Sequence, residues 1–413
     1  MIKIKLREIV TMANIAVLGY GTVGSGVVEV ITRNHDSIAK RAGEEINVKY
    51  VLDLRDFPGD PVEKILVHDY DVILNDPDVS IVVEVLGGIN PAYTFVKSAL
   101  LAGKSVSTSN KELVAAHGAE LIAIAKENNV NFLFEASVGG GIPIIRPINQ
   151  SLTADEITEI TGILNGTTNY ILSKMSDEGS DFETVLKRAQ EKGYAERNPE
   201  ADVEGYDACR KIAILTSLAY GKQVDYQDIY TEGISKITDI DIKYSKKMGT
   251  PIKLFGTSKM IDGTVYSMVA PFMVDSEHPL VNVNGVFNGI FVNGNMLGDT
   301  MFYGKGAGKL PTASAVVSDV VDEVKHNGTN IMMIWEPEKM VLGSMDNFAC
   351  RFFVRVKDTT SKDTIKELFG EVEFVEVEDV SGEFAFLTAS MTQKEFEEKS
   401  VKVDMINRIR TTL

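Results

Sequence analysis

Apolar positions along the chain change period several times, and each change marks an element. Residues 13–30, ANIAVLGYGTVGSGVVEV, read as a continuous apolar run, a glycine turn and an apolar stripe at helical spacing, which predicts strand, turn and helix. Further apolar strands are predicted in INVKYVLDL, SIVVEVLGG, SVSTSNKE and NFLFEASVGGGIPII, with helical segments such as PAYTFVKSALLAGK between them. Strands alternating with helices at this spacing imply a Rossmann-type, doubly wound parallel sheet over residues 1–142, with ligands above the carboxyl ends of the strands. From residue 143 to 309 the pattern is α+β. A polar cluster, Asn165 to Asn169, begins a helix near Tyr170 or hydrogen-bonds a small polar substrate, and a mainly strand-like stretch from Tyr230 to Met301 reads as a mixed sheet. The helix after the glycine loop YGKGAGKLP, within residues 310–340, is expected to return to the first domain. Residues 345–413 read as β-α-β-β-α, a small ferredoxin-like unit whose last helix, TQKEFEEKSVKVDMINRIR, leaves no final strand.

One helix carries a charge where an apolar residue belongs. In ACRKIAILTSLAYG, Lys211 shares the stripe of Ala208, Ile212 and Leu215, and a buried ammonium is costly without partners. Asp207 lies one turn earlier, and the preceding loop can fold Glu196 and Asp202 back toward it. A surface i,i+4 ion pair and acids suited to a helix N-terminus would account for the same residues without chemistry.

The glycines of GYGTVG fall as G-x-G-x-x-G at Gly19, Gly21 and Gly24, between a strand and a helix. Gly19 permits the tight turn, Gly21 lets a pyrophosphate approach, and Gly24 lets helix and strand pack closely. Asp53 stands where such a fold places an acid against the ribose, although its distance from Gly24 exceeds the usual ~20 residues and requires extra helical turns or a loop. Arg55 follows; the acid favours NAD and the arginine NADP, so the choice stays open. Glu135 precedes the run Gly139 to Gly141, a turn that either coordinates a hard cation through oxygen or serves as an interdomain hinge.

Composition narrows the partners. Forty-two basic against fifty-nine acidic residues give a net charge of −17, which argues against nucleic acid or an anionic membrane. Cys209 and Cys350 are the two cysteines, so no disulfide framework is expected and a reducing cytoplasm is the natural compartment; the five histidines are too scattered for a zinc site. The first eleven residues lack the features of a secretory signal and read as an extension or an upstream start.

Taken together, GYGTVG, SNKELVA, EASVGGGIPII, LNGTTNYIL, GYAERNPEADVEGYDACRKIAIL and GKGAGKLPTASAVVSDV cover nearly the whole chain and resemble homoserine dehydrogenase, in its monofunctional form. The resemblance implies NAD(P)-dependent interconversion of aspartate semialdehyde and homoserine. By position it makes Lys211 the catalytic lysine, with Lys111 the second; Glu196 and Asp207 bind substrate, and Asp202 is another acid of the site. Cofactor contacts fall on Gly19, Gly21, Thr22, Val23, Gly24, Arg55, Gly87, Ser109, Lys111 and Gly306. A monovalent cation, sodium, falls at Glu135 and the backbone of Val138, Gly140 and Ile142. The resemblance further implies that residues 143–309 serve catalysis and dimerisation in a homodimer, and that residues 345–413 are a degenerate ACT domain. KDTTSKDT replaces the usual Asp-x-Pro-Gly turn of such domains, so threonine feedback is not expected. Two rival functions are an aspartate-semialdehyde dehydrogenase, which would need Cys209 as a thiolate, and a nicotinamide-binding amino-acid sensor without catalysis.

Overall fold

The computed structural model describes residues 12–413; the expectation for the first eleven lies outside them. The chain divides into two compact units, Met1–Asn149 with Ala307–Pro337, and Gln150–Gly306 with Glu338–Leu413.

The first unit runs β1 (Met12–Leu18), α1 (Thr22–Arg33), α2 (His35–Ala42), β2 (Glu45–Leu52), β3 (Leu66–Val67), α3 (Tyr70–Leu74), β4 (Val79–Glu84), α4 (Ala92–Leu101), β5 (Ser105–Thr108), α5 (Lys111–Glu127) and β6 (Phe132–Leu133). Its strands pair in the order β3-β2-β1-β4-β5-β6, all parallel. The order reverses between β1 and β4, and that reversal opens a crevice above the carboxyl ends of both strands. The long spacing from Gly24 to Asp53 has a simple cause: α1 stops at Arg33 and a second helix starts at His35.

The second unit continues with β7 (Ile157–Ile163), α6 (Gly166–Glu178), α7 (Phe182–Glu191), α8 (Glu200–Val203), α9 (Tyr206–Tyr220), β8 (Lys222–Gln223), β9 (Tyr230–Thr231), α10 (Asp239–Met248), β10 (Ile252–Ile261), β11 (Thr264–Met273), β12 (Phe287–Gly294) and β13 (Gly298–Lys305). The chain re-enters the first unit for α11 (Lys309–Lys325). Gly26 of α1 makes room for it: a Cβ there would stand 2.9 Å from the Lys309 carbonyl oxygen and 3.0 Å from the Ala313 Cβ. After β14 (Glu336–Lys339) come β15 (Ala349–Lys357), α12 (Lys362–Phe369), β16 (Val372–Val375), β17 (Glu383–Thr388), β18 (Met391–Thr392), α13 (Gln393–Ser400) and β19 (Met405–Thr411).

The last of these elements corrects the sequence reading. The predicted final helix is only α13, and Met405–Thr411 is a strand, so the ferredoxin-like unit has its fourth strand. Its order, β19-β15-β17-β16, places the first and last strands side by side. β19 also pairs with β11, so the small unit and the mixed sheet form one continuous array, β13-β12-β7-β10-β11-β19-β15-β17-β16. A helix, α10, interrupts the strand-like stretch after Tyr230; its capping box, Thr238 with Asp241, stabilises the helix start. In β10, Gly256 lets α9 lie close to the sheet, since a Cβ there would come 2.9 Å from Leu164 Cδ1 and 3.3 Å from Ile212 Cβ.

Candidate active site

α9 starts after Gly205, which takes a left-handed φ of 82°, and its apolar stripe of Ala208, Ile212 and Leu215 is fully buried. Lys211 follows the stripe inward and is only 9% exposed. Its Nζ donates to Asp207 Oδ2 at 2.7 Å and to the Leu164 carbonyl at 2.9 Å. The next residue, Asn165, accepts from the Thr168 amide and so starts α6 at Gly166, four residues before the expected start at Tyr170. Its Nδ2 donates to Asp202 Oδ1 at 2.7 Å and to Asp207 Oδ2 at 2.9 Å. One amide therefore links both carboxylates to the lysine. Burial pushes the Asp202 carboxyl up, against the pull of the Asn165 amide, and the Asp207 charge pushes it further the same way. Glu196 is not drawn into this buried cluster; it stands exposed on the loop between α7 and α8.

In the first unit the glycine turn has the dimensions a dinucleotide requires. Gly19 has φ 100°, and a Cβ on Gly24 would stand 1.9 Å from the Gly19 carbonyl oxygen. Gly21 faces open space, and no side chain caps the amides of α1, whose first residues are Thr22 and Val23. The uncapped amides fit an anion such as a pyrophosphate. Asp53 is less free than its sequence position implies. Its carboxylate accepts from the Tyr20 amide at 2.8 Å and is gripped by Arg55 through Nε and a terminal nitrogen, both at 2.9 Å. The Arg55 guanidinium holds that carboxyl well below the usual range. Gly87, with φ 81°, follows the end of β4, Ser109 follows β5, and Lys111 is the first residue of α5.

The turn after β6 is closely packed. Gly139 and Gly140 are buried, and a Cβ on Gly139 would stand 2.4 Å from the Ile142 carbonyl oxygen. The Glu135 carboxylate accepts from the amides of Ile144 at 2.6 Å, Ile145 at 2.9 Å and Arg146 at 2.7 Å. The Glu135 carboxylate is thus already engaged by backbone donors of this chain. Among the described residues no group of three or more His, Cys, Asp or Glu side chains has metal-binding geometry. Gly306, in the second unit, abuts Asn288, whose Nδ2 would lie 2.1 Å from a Cβ there. Cys209 is buried in α9, donates to the Tyr226 carbonyl at 3.1 Å and has its thiol pushed up by burial, which opposes a nucleophilic thiolate. No helix among the described residues is long and apolar enough to cross a membrane.

Comparison with known proteins fits both sites. One family model, homoserine dehydrogenase, matches residues 143–321, and a second, the homoserine dehydrogenase NAD binding domain, matches residues 19–135. A homoserine dehydrogenase of Bacillus subtilis (strain 168) is 43% identical over 368 residues, 86% of this chain and 84% of that protein. The chain belongs to the homoserine dehydrogenase family. A solved homoserine dehydrogenase from Thiobacillus denitrificans superposes with a TM-score of 0.88 at 34% identity, covering 97% of this chain and 98% of that one. A hyperthermophilic archaeal homoserine dehydrogenase solved in complex with NADPH has a TM-score of 0.64 at 28% identity, covering 76% of this chain and 98% of its own. The NAD-binding match contains the GYGTVG turn, Arg55 and Lys111, and the homoserine dehydrogenase match contains the whole Lys211 cluster.

Sequence reasoning named Lys211, Asp207 and Asp202 but not the linking role of Asn165 or the Leu164 carbonyl. The signal was present in LNGTTNYIL, where an asparagine three residues before a threonine matches an N-cap.

Proposed function

We propose that this protein interconverts L-aspartate 4-semialdehyde and L-homoserine, with NADP or NAD as hydride carrier, in the biosynthesis of threonine, methionine and isoleucine. Membership of the family supports the reaction, and the buried ammonium of Lys211 among carboxylates carries the assignment of chemistry. When bound, the nicotinamide gives or takes the hydride. Gly19, Gly21, Thr22, Val23 and Gly24 hold its pyrophosphate, with Arg55, Gly87, Ser109, Lys111 and Gly306 as further contacts. Two acceptors engage Nζ of Lys211, which carries three protons when charged. The third serves the substrate oxygen, steadying the developing alkoxide and protonating it. Asp207 and Asn165 keep that nitrogen oriented. Glu196, Asp207 and Asp202 receive the substrate ammonium, and Lys111 its carboxylate. Glu135 and the backbone of Val138, Gly140 and Ile142 would hold a monovalent cation, sodium.

The same reading gives the chain three parts, a dinucleotide domain, a catalytic and dimerisation domain at 143–309 and an ACT-like domain at 345–413, in a cytoplasmic homodimer. β19 removes one of the two departures from the ACT pattern; KDTTSKDT remains the other. Absorbance of the reduced nicotinamide, followed with homoserine and either cofactor, tests the proposal and fixes the cofactor preference. Absence of turnover with both would overturn it.

A further inference from the structure

β4 ends on a buried carboxylate. Glu84 is fully buried, in register with Leu18 of β1 on one side and Thr108 of β5 on the other. Its Oε1 accepts from the Leu86 amide at 2.7 Å and the Gly87 amide at 3.4 Å, and its Oε2 from the Thr108 hydroxyl at 2.6 Å. The Thr108 oxygen in turn accepts from the Asn110 amide at 2.9 Å. Asn110 closes the circuit: its Nδ2 donates to the Gly88 carbonyl at 2.6 Å, and its Oδ1 caps α5 through the Leu113 amide at 3.1 Å. The loop so held contains Gly87 and Gly88, with φ 81° and 69°, and two left-handed glycines in succession have little stiffness of their own. Burial of the acid is costly and pushes its pKa up, so retention of a carboxylate here calls for a use.

That use follows from position. In an open parallel sheet the nucleotide lies across the strand-order reversal, and the strands beyond it, β4 and β5 here, face the nicotinamide half. We infer that Glu84, together with Asn110, is a positioning residue for the cofactor: it holds the loop of Leu86 to Gly88 against the turn of Ser109 to Lys111 at the separation that receives the nicotinamide riboside. The inference rests on the cofactor reading above and adds to it a residue that touches no ligand.

The test uses the full chain and two probes, the reduced dinucleotide that the wild type binds better and the matching ADP-ribose, which lacks the nicotinamide. Glu84→Gln removes the charge at nearly constant shape. Asn110→Asp keeps an N-cap for α5 but loses the donor to Gly88. Glu84→Gln is expected to weaken the dinucleotide about tenfold, the size of a weakened hydrogen bond to a charged group, and Asn110→Asp about fivefold, the size of a lost neutral one. ADP-ribose affinity, the melting temperature and the KM for homoserine should stay near wild type. Equal weakening of both probes would mean general collapse of the turn and would overturn the inference, as would unchanged dinucleotide binding in both variants. Should Glu84→Gln fail to fold, Asn110→Asp decides alone. A wild type that binds neither dinucleotide would bring down the cofactor reading itself, a result distinct from either of these.

Discussion

Two buried cations in the second unit solve the same electrostatic problem in different ways. Arg355 of β15, 2% exposed, makes four hydrogen bonds: Glu383 takes its Nε and one terminal nitrogen at 2.7 Å each, and Asp241 with the Thr238 hydroxyl takes the other at 2.7 and 2.9 Å. Lys211 has two acceptors, and one of them, Asp207, is shared with Asn165. A guanidinium locked by two carboxylates holds elements together, here β15, β17 and α10. An ammonium with bonding capacity in reserve, set beside an acid whose pKa burial has raised, has room for a further acceptor.

The comparison is broken most directly at the lysine. Lys211→Met should lower kcat by about a thousandfold, within the range of a lost general acid, while cofactor affinity and circular dichroism stay near wild type. Unchanged turnover would place Lys211 with Arg355 as a purely structural cation. Arg355→Met should do the reverse: stranding Asp241 and Glu383 costs about 3–5 kcal/mol in urea unfolding, and turnover per folded molecule should hold. Glu196→Ala should raise the KM for homoserine about tenfold, the size of one charge-assisted contact, with no change in melting temperature because the side chain is exposed. The smallest effect is expected at Asp202. Its raised pKa means that the folded protein binds the proton more tightly than the unfolded chain, so wild-type stability declines as pH rises through the folded value. Asp202→Asn escapes that decline: its melting temperature should exceed wild type by about 2 °C at pH 8, and the gain should vanish below the ordinary aspartate value near ~4.

What could be read from the residues depended on how local the determinants were. The glycine turn and the stripe of α9 are set by neighbours within one or two turns, and the burial of Lys211 followed from its place in that stripe. β19 was missed because MINRIRT has charges at alternate positions and follows a helical run; Arg410 is nonetheless fully buried, paired with Glu232 at 2.9 Å from 178 residues away. Nothing near residue 410 announces that partner. α10 was missed although its Thr238–Asp241 box was visible, because apolar strands on both sides dominated the pattern. Glu84 passed as one polar residue in an apolar strand, since its partners come from the loop after β4 and from the end of β5.

The place of β19 between β11 and β15 has a consequence for synthesis. While the stretch after Met273 is being translated, the end of β11 at Phe272 and Met273 lacks its neighbour, and from Lys357 onward one edge of β15 does too. Both edges bear amides and carbonyls that another nascent chain could take up until residues 405–411 leave the ribosome and fill the gap. A truncation just before Met405 would make that exposure permanent and leave both strands open to pairing with another chain.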